Sequence, residues 1–367
     1  MKKILYLTTS IDPNDYSFLL KKGVTLPNPS NQNFHSRLIS AFESRFDVRV
    51  ISRLSLKIGP YTLLDNERYH YFEKQSGILP KLFPSLELKA LKHLIPEEID
   101  AVLFDSLNAP LSFQAVTIAS KLGVPSIAIL TDNPLNITGL SKAKAKRIVD
   151  YASKANASIT LTPSLQNVYR LSNKKSVLIP GIASKSDAPP FKGPHPYFYF
   201  GGSLLQRYGV PRLIENFLAA SLENTDLYIA GHGNENLPKG ENVVLLGQVS
   251  LEENIAYQKG AVALINPRPF DPILDSESVP SKMFEYLSFG SRIISTENTF
   301  FKKEFDSCIN WIGEGSDEDF ANFFRSYKEN SARCLKEIPS KQRESFLEKY
   351  GPSSFAKKIE GFLTSLD

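Results

Sequence analysis

The chain has only two cysteines, Cys308 and Cys334, among 367 residues. That excludes a disulfide framework and fits a reducing compartment. Long apolar runs are also missing, and none approaches the ~20 residues that span a bilayer. The opening Lys2-Lys3-Ile4-Leu5-Tyr6-Leu7 starts like a secretory leader, but Thr8-Thr9-Ser10 and Asp12 cut its apolar core short. A cytoplasmic protein is the expectation. The five histidines are scattered without metal-ligand spacing. No GxSxG, Ser-His-Asp arrangement or GxGxxG occurs. The triplet Asp317-Glu318-Asp319 falls at a helix start, where acids cap the helix and complement its dipole rather than hold an ion. Neither a metal nor a cofactor is expected.

What is present is ordinary globular composition, 42% hydrophobic and 22% charged, at a length that suits about two domains. The net charge of +4 is unevenly spread. Residues 1–180 carry 23 Lys+Arg against 14 Asp+Glu, a net of +9; residues 181–367 carry 20 against 25, a net of −5. A basic first half suits an anionic partner, such as a phosphorylated acceptor or the acidic surface of a membrane. A dispersed lysine surface that only aids solubility explains it equally well. Nothing beyond charge suggests nucleic acid.

Short apolar runs set the fold. Ile4–Leu7, Val48–Ile51, Asp100–Phe104, Ser126–Leu130, Ile159–Leu161 and Val177–Ile179 read as buried strands. Helical patterns alternate with them, at about Asn33–Arg45, Pro110–Leu122 and a basic 141–155. Residues 11–30 read as a long loop, and 54–95 show no clear period. Alternating strands and helices predict an α/β protein with a doubly wound parallel sheet, whose ligands bind at the carboxyl ends of strands. Thr8, Thr9, Ser10, Asp105, Asp132 and Asn133 fall on that edge. Residues 183–196, rich in Pro and Lys, read as a linker. The pattern then restarts, with strands at Tyr197–Phe200, Leu227–Ala230, Val243–Leu246, Ala261–Ile265, Ile293–Ser295 and Ile309–Ile312. Three domains' worth of boundaries result: 1–185, 186–345, and a terminal helix, 346–367, that packs back on the first domain.

One stretch of the second half concentrates chemistry. Asp275–Ser278 reads as a polar loop, Pro280 opens a helix, and Gly290 ends it with a left-handed C-cap. Glu277 and Glu285 frame it. A helix N-terminus offers unpaired N–H groups and a partial positive charge to a phosphate. An ordinary strand-loop-helix with solvated acids fits the same residues. Gly201-Gly202 follows a strand, so backbone can approach a phosphate there. Arg207 lies in the next loop.

Two tandem sheets facing a cleft resemble the two-domain GT-B glycosyltransferases. Glu277 and Glu285 have the Glu, seven residues, Glu spacing of the retaining glycosyltransferase family four, and Lys282, Phe284-Glu285-Tyr286-Leu287 and Gly290 echo that family's helix. The resemblance is close in the second half and one of layout in the first. It implies two Rossmann-like domains and a metal-independent hexosyltransferase that uses a nucleotide-diphosphate sugar such as a UDP-sugar. Its acceptor would be a glycan, lipid-linked or protein-linked, as in polysaccharide biosynthesis, and the reaction would retain configuration. Glu285 would accept from the ribose hydroxyls, and Glu277 would hold a donor-sugar hydroxyl or support charge near the anomeric carbon. Gly202, Arg207, Ser281 and Lys282 would face the diphosphate, and Gln248 and Val249 the base. Asp132 stands where related enzymes often carry a histidine and is the catalytic candidate of the first domain. Ser10 and His35 are its acceptor-side candidates. Tyr208 stands where the family often has a lysine. A sugar-nucleotide epimerase on the same scaffold, and a non-catalytic partner subunit, are the alternative readings.

Overall fold

The structure is a computed structural model that describes residues 1–24, 29–54, 61–73, 88, 91–137, 139–233 and 236–366. They form two compact units. The first comprises Met1–Ile182, Ser276–Val279 and Pro352–Asp367; the second comprises Ala183–Asp275 and Pro280–Gly351.

The first unit is built on strands β1 (Lys2–Thr8), β2 (Phe46–Leu54), β3 (Tyr69–Glu73), β4 (Ala101–Asp105), β5 (Ser126–Leu130), β6 (Ala157–Thr160) and β7 (Lys175–Leu178). They pair in the order β3-β2-β1-β4-β5-β6-β7, all parallel. Every residue of β4 and β5 is buried, as a sheet covered on both faces requires. The order reverses between β1 and β4. Connections there leave toward opposite faces and open a crevice at the strands' carboxyl ends. Thr8, Ser10, Asp105 and Ser106 sit at those ends, all buried.

Some boundaries depart from the sequence reading. A helix, Pro13–Lys21, lies inside the stretch expected to be loop; Asp12 caps it by accepting from Asn14 N at 2.8 Å. Residues 25–28 of that stretch lie outside the described residues. The next helix is Pro29–Phe42, starting four residues early. β2 runs on through Ser52 and Arg53, polar residues that are nonetheless buried. β3 falls in the aperiodic 54–95 stretch, whose Pro60, Pro80 and Pro84 lie outside the described residues. The last helix, Pro352–Thr364, adds Phe355, Ile359 and Leu363 to the first unit's core. The Phe355 ring lies 5.6 Å from that of Phe42, and Arg45 Nη1 donates to Glu360 Oε2 at 2.6 Å.

The second unit repeats the plan with β8 (Tyr197–Ser203), β9 (Asp226–His232), β10 (Val243–Gly247), β11 (Ala263–Asn266), β12 (Ile293–Ser295) and β13 (Ile309–Trp311). The parallel order is β10-β9-β8-β11-β12-β13, so the reversal falls between β8 and β11. The stretch read as a linker is tied down at several points. Lys259 Nζ donates to the carbonyls of Ser186 and Ala188 at 2.6 and 2.8 Å, and the Phe191 ring rests 4.5 Å from that of Tyr257. Asp317 does not itself cap the helix Asp317–Asn330. Ser316 does, in a capping box with Asp319, and the acids occupy the first turn.

Candidate functional site

Both edges of the β8–β11 reversal are pinned by one tyrosine. Tyr286 Oη donates to Ile265 O at 3.3 Å and accepts from Gly201 N at 3.4 Å. Tyr286 belongs to the helix Ser281–Phe289, seven of whose nine residues are buried. Pro280 does not start this helix but precedes it in extended geometry, as the N-cap residue. No side chain caps this end, so its first N–H groups suit an anion. Just before it, the expected polar loop is a short helix, Pro272–Glu277. Asp271 nucleates it by accepting from Ile273 N and Leu274 N, both at 2.9 Å, with proline in the first turn. Gly290 is extended (φ −73°) rather than left-handed. Space explains it instead: a Cβ there would lie 2.4 Å from Leu264 Cδ1.

Glu285 is buried in this helix. Its Oε2 accepts from Asn254 Nδ2 at 3.1 Å and Gln258 Nε2 at 2.9 Å. Asn254 Oδ1 in turn accepts from Tyr199 Oη at 2.7 Å. Asn254 and Gln258 lie four residues apart on the helix Leu251–Gly260, which the Ser250–Glu253 capping box starts. Two neutral donors thus stabilise a buried anion without cancelling its charge. Burial raises the Tyr286 and Tyr199 hydroxyls well above the usual phenol range, and the Glu285 charge adds to it, so both remain donors.

One turn earlier, Lys282 is half-buried. Its Nζ lies 3.9 Å from the centroid of the Phe200 ring and 6.0 Å from that of Tyr208. It also reaches β8: a Cβ placed on Gly202 would be 2.9 Å from Lys282 Nζ. Burial pushes the Lys282 amine down to about 7; Arg268 adds to the shift and Glu285 opposes it. Arg207 is exposed, stacks 4.9 Å over Tyr208 and donates to Tyr208 Oη at 2.9 Å. The turn that carries both ends at Gly209, φ +76°, where a Cβ would fall 2.1 Å from Pro267 O. Only glycine satisfies both conditions. Gln248 and Val249 are half-buried between β10 and the Ser250 cap.

Glu277 lies in the Ser276–Val279 segment of the first unit. Its Oε2 accepts from Asn133 Nδ2 at 2.8 Å and Asn136 Nδ2 at 2.7 Å. Asn136 ends the 3-10 turn Pro134–Asn136 that follows β5, and Asn133 caps that turn by accepting from Leu135 N at 2.9 Å. Asp132, next to it, is half-buried, and its carbonyl accepts from Tyr169 Oη at 3.1 Å. Ser10 is buried, with Oγ 3.3 Å from Ser36 Oγ. His35 is fully buried: Nδ1 lies 2.5 Å from Tyr6 Oη and Nε2 lies 3.6 Å from Asp105 Oδ2. Burial lowers its pKa, and the Asp105 charge opposes that only in part. Asn31 Nδ2 donates to Asp105 Oδ2 at 3.1 Å. His35 therefore lies beneath the crevice floor.

In the second unit the structure brings together Gly202, Arg207, Ser281, Lys282 and Glu285. In the first it joins Glu277 to the residues beside Asp132. Sequence reasoning missed Asn254, Gln258 and Asn136 as carboxylate partners and Phe200 as the rest for Lys282. The four-residue spacing of Asn254 and Gln258 after a capping box was the available signal. Among the described residues, no group of three or more His, Cys, Asp or Glu side chains is placed to hold a metal ion. No helix among them is long and apolar enough to cross a membrane.

Two Rossmann-like parallel-sheet units with these crevices define the GT-B fold. Solved structures of that fold match the whole chain. Sucrose-phosphate synthase from Thermosynechococcus elongatus aligns with TM-score 0.67 at 11% identity, over 100% of this chain and 99% of its own. Anabaena HepE in complex with UDP-glucose aligns with TM-score 0.64 at 12% identity, over the full length of both. A Listeria monocytogenes protein assigned as a UDP-N-acetylglucosamine 2-epimerase aligns with TM-score 0.56 at 11% identity, over 100% of this chain and 96% of its own. No protein-family model matches the chain. No curated protein sequence matches it either.

Proposed function

We propose that the protein is a glycosyltransferase that moves a hexose from a nucleotide-diphosphate sugar, such as a UDP-sugar, to a hydroxyl acceptor. The observation that carries this is the helix Ser281–Phe289. An uncapped N-terminus, a half-buried cation and a buried carboxylate held by two amides lie within its first five residues. That order matches a diphosphate followed by a ribose. Likeness of fold to sucrose-phosphate synthase and to HepE bound to UDP-glucose supports the same class.

In this reading the acceptor oxygen bonds to the anomeric carbon as the bond from that carbon to the diphosphate oxygen breaks. The acceptor proton passes to the leaving phosphate. Negative charge grows on the diphosphate, where the N–H groups at Ser281 and Lys282, together with Arg207 and Lys282 Nζ, stabilise it. The charge to be neutralised thus meets cations of the chain itself, and we propose turnover without added metal. Glu285 orients the nucleotide through its ribose. Glu277, fixed by Asn133 and Asn136, holds the sugar near the anomeric carbon. Attack from the face of the departing phosphate retains configuration. The acceptor, a glycan or a lipid- or protein-linked one, meets the first unit near Asp132.

The test is a panel of UDP-, GDP- and ADP-sugars with and without candidate acceptors, read as nucleotide release and by NMR of the product. Acceptor-dependent nucleotide release with a retained anomer is expected. Donor isomerised with no acceptor present would favour an epimerase. Absence of nucleotide binding would favour the partner-subunit reading.

A further inference from the structure

The two ends of the helix Ser281–Phe289 are treated differently. No side chain caps its first N–H groups, whereas its last turn is covered by a cation. Tyr286 O takes the N–H of Gly290 at 2.8 Å. The next two carbonyls go to Arg343, whose Nη1 donates to Ser288 O at 2.7 Å and to Leu287 O at 3.4 Å. Its Nη2 donates to Gly290 O just beyond. Ile338 N completes the set by donating to Ser291 O at 2.9 Å. Arg343 comes from the helix Ser340–Tyr350, whose Phe346 and Tyr350 rings pack 5.8 and 5.4 Å from that of Phe284. That packing aims the guanidinium at the end of the neighbouring helix. Arg45, Arg170 and Arg292 each face a carboxylate. Among the described residues Arg343 faces none, and its partners are carbonyl oxygens.

The carbonyl end of a helix carries about half a negative charge. A whole positive charge meets it here, so the surplus acts along the axis. The helix spans about 13 Å from that cation to the open N–H groups. Seven of its nine residues are buried, and a buried path screens charge less than water does. We infer that Arg343 is a positioning residue of the proposed donor site: from the far end of the helix it fixes the axis and adds to the positive potential that a nucleoside diphosphate meets at Ser281 and Lys282. The inference rests on the donor-site reading above and adds a residue outside that site. Arg343 thereby sets how tightly phosphate is held relative to base and ribose. A merely structural cap would support uridine and UDP alike, whereas an electrostatic one counts for more with each phosphate charge.

Calorimetry with uridine, UMP and UDP at pH 7.5 measures the split. Arg343→Gln keeps a hydrogen-bond donor and removes the charge. It is expected to weaken UDP binding by about 3- to 10-fold, UMP by less and uridine not at all. Arg343→Lys keeps the charge but gives up the planar fork, and should restore most of the UDP affinity. Arg343→His makes the comparison within a single protein. Relative to wild type, its preference for UDP over uridine should be near normal at pH 6.0 and reduced at pH 8.0, where the ring is neutral. The wild-type reference removes the titration of UDP's own phosphate, with a pKa of about 6. Thermal melting confirms that each variant is folded. Unchanged UDP affinity in folded Arg343→Gln, or equal losses for UDP and uridine, overturns the proposal and leaves the donor site standing. If Arg343→Gln does not fold, Arg343→His decides: a UDP preference that does not change with pH relative to wild type overturns it. If UDP, GDP and ADP all fail to bind wild type, the donor-site reading falls and this proposal with it.

Discussion

Glu285 and Glu277 are both held by pairs of amide donors, yet they sit in different units and carry different expectations. Removing Glu285 deletes hydrogen bonds to a charged group and leaves the Asn254 and Gln258 amides facing a gap. At about 1.5–3 kcal/mol for such bonds, Glu285→Ala should weaken nucleoside diphosphate binding by about 10- to 100-fold, read by calorimetry. Glu277→Ala should instead lower kcat by at least tenfold while donor affinity changes little; unchanged kinetics in both variants would remove these roles. His35 makes a different kind of prediction. Its folded pKa is lowered from 6.5 by burial, so the unfolded chain binds the proton first. Stability is then complete above about 6.5 and is lost as pH falls through that value toward the lower folded one. The urea midpoint should drop between pH 7 and 5, and His35→Gln should flatten that drop. A drop of equal size in the variant would assign the pH dependence to other groups.

Among the elements, the last helix is the clearest case of packing deciding position. Phe355 is 5% exposed against the Phe42 ring, so Phe355→Ala should cost about 3–5 kcal/mol in the first unit, measured by urea unfolding. The buried strands were the elements most legible from sequence: β4 and β5 are runs that no solvent-facing element would carry. The helix Ser281–Phe289 was legible because Pro280 is a local signal of a helix start, although Pro280 precedes the helix instead of opening it. Its surroundings were not. Gly290 signals a left-handed cap by its type, but contact with Leu264, far away in sequence, is what demands it. The helix at 13–21 hides in a segment rich in Pro, Asn and Asp, where the same residues that mark a loop also cap a helix. Partners such as Asn133 for Glu277, 144 positions apart, are set by tertiary packing alone.

At the scale of the molecule, two parallel sheets share the order of their first six strands, and the second unit places Arg207 and Lys282 near an uncapped helix end. Nucleotide should therefore stabilise the units unequally. At a hundredfold excess over Kd the linkage amounts to about 2.7 kcal/mol. Hydrogen exchange with UDP present should slow mainly in the 200–209 turn, the 247–258 segment and the 280–289 helix, with the first sheet little changed. Protection spread evenly over both sheets would contradict a donor site built on the second unit.

The membership of the two units has a consequence for dissection. The chain returns to the first unit at Ser276–Val279 and again at Pro352, so neither unit is a continuous length of sequence. A fragment ending near residue 182 would lack Phe355, Ile359 and Leu363, and would expose the apolar floor they cover. Head and tail must travel together in any exchange of halves between relatives. A circular permutant joining residue 367 to residue 1 and opened in 183–196 keeps the first unit contiguous, apart from four residues, where a simple truncation does not.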